Sequence, residues 1–502
     1  MIDIKITNKF YVINQINIVN YWLVFILFIM MAMTSVHAEA GSVGKVEFTK
    51  GSVVAERQSE SPRMLGTGEE LFQGDKIQTS DRSFVILAFN DGSKITVRPN
   101  SSFSIDTYVE GEDAKAVFGL QKGGVRASSG EIAKKDSSQF QIKTKQAIVQ
   151  AAKADYSVRL CSNDCQGESE QMKPAAMVTN QTVIGRVVEI KGSAFAQGKI
   201  PVDTPPRTLK VGSAIYRTDT VSSDADSIVI LVFRDGGRFT IEASSSLRVA
   251  EYTFEAQDKK DSADFTLVKG GLRALTGLIG KADKDSYKVT TPVATIGIRG
   301  TGFDLKCKGD CINDEASTQN DKVLKGEAEG LYSYVWQGGI YQQNESGSFD
   351  LNTGKANYLA SANSKPIDFP EIPKFFTDTP SPRPDKKEVN MDSLFAAEKQ
   401  EENPAGLYVT VEDGDVELIT LDEDGGPVNS EPMYLGKNEA AYVNKDGTET
   451  IRLAEVQNFL LLDSTPSPST FDAETAEVTY SILLDESASG SLTGDVYMCR
   501  CD

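Results

Sequence analysis

Phe84-Val85-Ile86-Leu87-Ala88-Phe89-Asn90-Asp91-Gly92 returns later in the same chain as Ile228-Val229-Ile230-Leu231-Val232-Phe233-Arg234-Asp235-Gly236. Each stretch is a short apolar run, rich in β-branched residues, that stops at an Asp-Gly turn. Each then comes back in polar–apolar alternation, as Lys94-Ile95-Thr96-Val97 and Arg238-Phe239-Thr240-Ile241. That pattern predicts a β-hairpin in both places. Upstream, Val43-Gly44-Lys45-Val46-Glu47 with Lys50-Gly51-Ser52 matches Ile184-Gly185-Arg186-Val187-Val188 with Lys191-Gly192-Ser193. Downstream, Gly123-Gly124-Val125-Arg126-Ala127 matches Gly270-Gly271-Leu272-Arg273-Ala274, and both Gly-Gly pairs read as turns or bulges before further strands. Even Cys-Ser-Asn-Asp-Cys at 161–165 returns as Cys-Lys-Gly-Asp-Cys at 307–311. So many matches in one order mean a duplicated domain. No stretch of comparable length in either copy carries a helical period. The expected class is all-β, with tandem β-rich domains of sandwich or solenoid-like form.

A smaller repeat follows. Gly330-Leu331-Tyr332 with Gly338-Gly339-Ile340 is echoed by Gly406-Leu407-Tyr408 with Gly414-Asp415-Val416. Each unit runs out into prolines, Thr379-Pro380-Ser381-Pro382 and Thr465-Pro466-Ser467-Pro468. The expected organisation is a leader at 1–38, a first domain at 41–165, and a second at 183–360 that includes one C-terminal β module. A proline-rich linker at 361–405 follows, helix-permissive at Met391–Lys399, then a second small β module at 406–468 and an acidic tail at 469–502.

The leader reading rests on Lys5 and Lys9 ahead of the apolar run Tyr21–Met33, which ends in Thr34-Ser35-Val36-His37-Ala38. The run is shorter than the roughly 20 residues a membrane span needs, so a signal peptide cut after Ala38 is expected, the alternative being an uncleaved anchor. The expected location is therefore the periplasm or the extracellular space, with no span left after cleavage. His37 is the one histidine of the chain. Without it, histidine-based nucleophile pairs, general bases and zinc ligation are unavailable, which argues against an enzyme. A net charge of −20 repels phosphate backbones, so nucleic acid is not an expected partner. The six cysteines fall into three close pairs. In an exported chain Cys161/Cys165 and Cys307/Cys311 read as disulfide staples, with thiolate metal binding and redox switching as the competing readings. A Cys499–Cys501 bridge would be strained, and the state of that pair stays open.

The segment Val289-Thr290-Thr291-Pro292-Val293-Ala294-Thr295-Ile296-Gly297-Ile298-Arg299-Gly300-Thr301-Gly302-Phe303-Asp304-Leu305 resembles the signature of the FecR family. The Asp235-Gly236 hairpin and the Gly270-Gly271 step fall where that family has them. The resemblance covers residues 183–360 well and 41–165 by internal homology. The first copy departs from it, with Ala152-Lys153-Ala154-Asp155-Tyr156 in place of Arg299-Gly300-Thr301-Gly302-Phe303. The resemblance implies a β-rich domain outside the cytoplasm that relays or receives signals through protein contacts. Because only some 20 residues precede the apolar run, it is expected to carry the envelope domain and not the sigma-factor role of the best-known members.

Arg299, Gly300, Thr301 and Phe303 are candidate recognition residues, or structural ones if Gly300 supplies a positive φ and Arg299 pairs inside the domain. Strand alternation places Tyr332, Tyr334 and Trp336 on one face, either a stacking platform for a ligand or buried core. Acidic clusters such as Asp422-Glu423-Asp424-Gly425 lack calcium-loop spacing and read as solvated turns. No cofactor or metal is expected. The leading expectation is a non-catalytic envelope sensor or scaffold whose partners are other envelope proteins. The alternatives are a carbohydrate-binding or carbohydrate-active β-protein and a secreted structural or adhesive protein.

Overall fold

The computed structural model describes residues 41–162, 164–166, 183–198, 206–255, 260–298, 300–309, 311, 320–400, 402–428, 431–461, 463 and 465–472. The leader, Arg299, Cys499 and Cys501 lie outside the described residues. The chain is about 50% strand and 9% helix.

Both predicted hairpins form. Phe84–Phe89 pairs antiparallel with Lys94–Val97, and Ile228–Phe233 with Arg238–Ile241. Each copy then has one 14-residue strand, Lys115–Ser128 in the first and Ser262–Leu275 in the second. The early half of Lys115–Ser128 pairs with Ser102–Val109, and its late half with Lys94–Val97. The Gly-Gly step is the crossing point between two layers, and not a hairpin turn. Gly123 and Gly270 take φ of +77° and +84°, and a Cβ on Gly123 would stand 2.1 Å from Ser101 Oγ. That hydroxyl accepts the Gly124 N–H at 2.9 Å, and Ser245 does the same for Gly271 at 2.8 Å. The layers enclose one core per copy: Val46 and Leu87 come from one layer, Ile77 and Phe103 from the other, and all four are buried. Each such side chain contributes roughly 1.5–3 kcal/mol through removal from water.

The small modules complete these sandwiches. Gly330–Gln337 pairs with Gly302–Lys308, and Gly339–Asn344 with Thr295–Ile298, so the first module closes the second copy. Gly406–Asp413 pairs with Asp155–Cys161, and Asp415–Thr420 with Ala147–Ala151. The second module therefore closes the first copy, across all the chain between them. Cys161 stands opposite Gly406, so the chain leaves the first copy and re-enters it at neighbouring points. The second copy is an insertion within the first.

Residues 361–405 differ from a free linker. Phe369 and Phe376 are buried against the Tyr332–Tyr358 pair, and only Met391–Phe395 of the helix-permissive patch is helical. Aromatic side chains in a proline-rich stretch can dock it to a sheet, and these do. The docked stretch leads to a polar contact between the copies. Arg186, fully buried, pairs with Glu439 of the second module and donates to Leu394 O at 3.0 Å. Arg452 lies 3.5 Å from the same carboxylate, and the Lys437 N–H donates to Tyr216 Oη at 2.6 Å.

The cysteine pairs are both disulfides, with Cα atoms 5.7 Å apart for Cys161–Cys165 and 4.6 Å for Cys307–Cys311. They are not equivalent. Leu160 opposes Gly123, whereas Cys307 opposes Gly270, so Cys161 sits one position further along its strand. A one-residue slip reverses the face a side chain meets. Cys307 and Cys311 belong to the main core, while Cys161 and Cys165 pack outside it with Tyr408, Tyr442 and Phe459.

Candidate functional site

Strand Gly302–Lys308, which follows Gly300-Thr301, and the aromatic row on Gly330–Gln337 converge on the outer face of the second copy. Alternation on Ser262–Leu275 sends Leu272 and Ala274 to the core and Arg273 outward. Asp304, directly opposite on the neighbouring strand, accepts a hydrogen bond from Arg273 Nε at 3.2 Å and lies in ion-pair contact with Nη2 at 3.0 Å. Trp336, one strand further on, donates its Nε1 to the same carboxylate at 3.0 Å. Its ring covers Gly302, where a Cβ would come within 2.1 Å of ring carbon. Burial pushes the Asp304 carboxyl up to about 6, with Arg273 and the Trp336 hydrogen bond opposing that rise only in part.

This face is covered from within the chain. Arg273 Nη1 donates to Ser381 O at 2.5 Å, and the Arg383 guanidinium lies 4.2 Å above the Trp336 ring while chelating Asp385. Tyr332, Tyr334 and Trp336 do share one face. Tyr332 is buried under Phe369 and Phe375, and Tyr334 packs on Phe376 at 5.5 Å. The proline segment is thus a strap over the row.

The same device recurs in the first copy with altered wiring. Arg126 corresponds to Arg273, and its Nη1 donates to Thr465 O of the second Thr-Pro-Ser-Pro at 2.9 Å. Thr96 Oγ1 adds a bond to Pro466 O at 3.0 Å. Ser157 occupies the place of Asp304, and Glu412 that of Trp336. The carboxylate that neutralises the arginine has moved one strand over, with Arg126 to Glu412 at 2.7 Å. Neither arginine was singled out by sequence reasoning. The signal was present in the repeat itself, as an identical arginine three residues after the first glycine of each Gly-Gly pair, matched by an identical proline run downstream.

The remaining motif residues hold the strand in place. Thr301 is buried, its N–H donates to Thr276 Oγ1 at 2.9 Å, and its hydroxyl donates to Gly339 O at 2.5 Å. Phe303 is core, and Gly300 has φ of +67° with open space around a Cβ. Among the described residues, no group of three or more potential ligands is placed to hold a metal ion.

The FecR protein family matches residues 75–169 and again residues 219–329, the corresponding part of each copy. The chain carries two FecR domains. Each FecR match ends before the module that closes its sandwich. Two crystal structures of a candidate anti-sigma factor from Parabacteroides distasonis ATCC 8503 are similar at 14% and 13% identity. Each alignment covers 32% of this chain and 62% of that one, with a TM-score of 0.22. The chain thus spans under two thirds of the length of those proteins. No curated protein matches. The assignment rests on the FecR matches and on the strand pairing that both FecR domains share.

Proposed function

We propose that the chain is an exported, non-catalytic envelope protein that senses or scaffolds through protein–protein contacts. The observation that carries this reading is the FecR domain in each copy, with the Arg-Gly-Thr strand in the second only. Two closed disulfides fit an oxidising compartment. Among the described residues no helix is long and apolar enough to cross a membrane. Arg299 supplies the recognition contact, and the first copy, which lacks that arginine, serves as framework. Cross-linking in intact cells, followed by identification of captured proteins, tests this. Capture of a defined partner that disappears in Arg299→Ala, with thermal unfolding unchanged, is the expected result. Capture that survives the substitution would remove Arg299 from the contact. Export has its own readout: an intact mass beginning at Glu39 supports it, and retained Met1 defeats cleavage. A glycan-stacking role for Tyr332, Tyr334 and Trp336 would require the strap to leave its face.

A further inference from the structure

At one end of the first copy a groove of about 620 Å³ opens between the turn at 143–146, the end of strand Asp155–Cys161 and the second module. Three lysines line it: Lys143 and Lys145 on the turn, and Lys445 from the module. All three are exposed, and none of their ammonium groups has a hydrogen-bond or ion-pair partner among the described residues, while Lys445 O accepts Gln146 Nε2 across the groove at 3.5 Å. That is unexpected where acidic residues outnumber basic ones 72 to 52. Among the described residues Asp106 is the one carboxylate of the lining, and it accepts the Ser104 hydroxyl at 2.6 Å.

The turn is built to present these lysines. Thr144, between Lys143 and Lys145, is buried and accepts the Gln146 and Ala147 N–H groups at 3.2 and 3.0 Å. Leu421 N–H of the module donates to Gln146 O at 2.7 Å, which fixes the third lysine relative to the other two. The second copy keeps the turn and discards the charge. Thr291 makes the bonds of Thr144, so Thr290 and Pro292 stand where the first copy has Lys143 and Lys145. Tyr358 pairs with Tyr332 as Tyr442 pairs with Tyr408, which puts Ser361 in the place of Lys445. All three cations are therefore peculiar to one copy, and they converge only because the module closes that copy.

We infer that this groove binds a small, multiply charged anion bearing carboxylate or phosphate groups. Converging ammonium groups in a concave site focus potential, and the volume suits a ligand of disaccharide or nucleotide size. Gln121, Gln146 and Ser162 on the lining supply neutral hydrogen bonds, and Leu120 and Leu160 an apolar floor. The inference does not depend on the protein-contact role.

Calorimetric titration of the mature chain with citrate and with pyrophosphate tests it and separates the two anion chemistries. Binding of either probe at about 1 mM or below, weakened by raising salt from about 0.05 to about 0.5 M, is expected. Lys143→Gln/Lys145→Gln/Lys445→Gln should weaken it by about tenfold or more, and Asp106→Asn should tighten it. Lys269→Gln/Lys281→Gln/Lys355→Gln, which removes equal charge elsewhere, should leave it within about twofold. No binding of either probe would overturn the inference. So would an equal loss in the two triple variants.

Discussion

Asp304 is a carboxylate held between an arginine and an indole with almost no access to water. Its pKa of about 6 stands above the roughly 3.9 of the unfolded chain, so the native state binds this proton more readily. The sign follows: the stability it confers is full below about pH 4 and is lost as pH rises through about 6. Trp336 reports on it directly, since Trp22, the other tryptophan, falls in the expected leader. We predict that Trp336 emission titrates with a midpoint near pH 6 and that Asp304→Asn abolishes the transition. A flat profile in the wild-type protein would mean the carboxylate stays charged throughout. The first copy has no such reporter, because Ser157 and Glu412 share the corresponding places.

At the scale of elements, the long folded strand is the part on which each sandwich depends. Gly123→Ala must adopt a left-handed backbone and also displace Ser101, whose hydroxyl holds the next N–H. Gly92 has a similar φ of +79° but no atom within 4 Å of a Cβ. We predict a cost of about 2 kcal/mol or more for Gly123→Ala and about 1 kcal/mol for Gly92→Ala, measured by urea unfolding. Equal costs would mean the close approach to Ser101 is relieved by local adjustment. The hairpins, the duplication and the all-β class were legible because tight turns and alternation are local signals. The Gly-Gly step was legible as a special backbone position but not as a layer crossing, since that depends on which strands lie on either side. The cysteine match was misleading in one respect. Four-residue spacing is preserved while the face is not, and a face is decided by register against a neighbouring strand. Tyr332, Tyr334 and Trp336 follow one another at alternate positions of strand Gly330–Gln337, a local pattern. What covers them came from Phe369 and Phe376 in a segment that composition alone marks as a linker.

For the molecule as a whole, the decisive fact is that the first copy is closed by residues that follow the second. The two modules are alike in sequence, so nothing local says which sandwich each one joins. We predict that ending the chain at residue 400 disorders the first copy while the second stays folded, as read by hydrogen exchange on strands Ala147–Ala151 and Ile228–Phe233. Conversely, replacing 170–402 with a short Gly-Ser loop should leave the first copy folded, because Cys161 and Gly406 are paired neighbours. A first copy that survives the truncation intact would refute this dependence. The contact between copies makes a separate prediction. Arg186→Ala leaves Glu439 short of its principal partner and should cost about 3–5 kcal/mol. Burial raises the Glu439 carboxyl, but Arg186 and Arg452 outweigh it and hold the group below its usual range. Its contribution is therefore present above about pH 4.3 and lost as acid carries the pH through the lowered value. In Arg186→Ala that acid sensitivity of unfolding should shift upward in pH. The insertion also imposes a timetable. At about 5–20 residues per second, the strand that must lie beside Cys161 leaves the ribosome some 10–50 s after it. The half made first is the half finished last, and for that interval two open strand edges stand waiting, a hazard that a chaperone would have to cover.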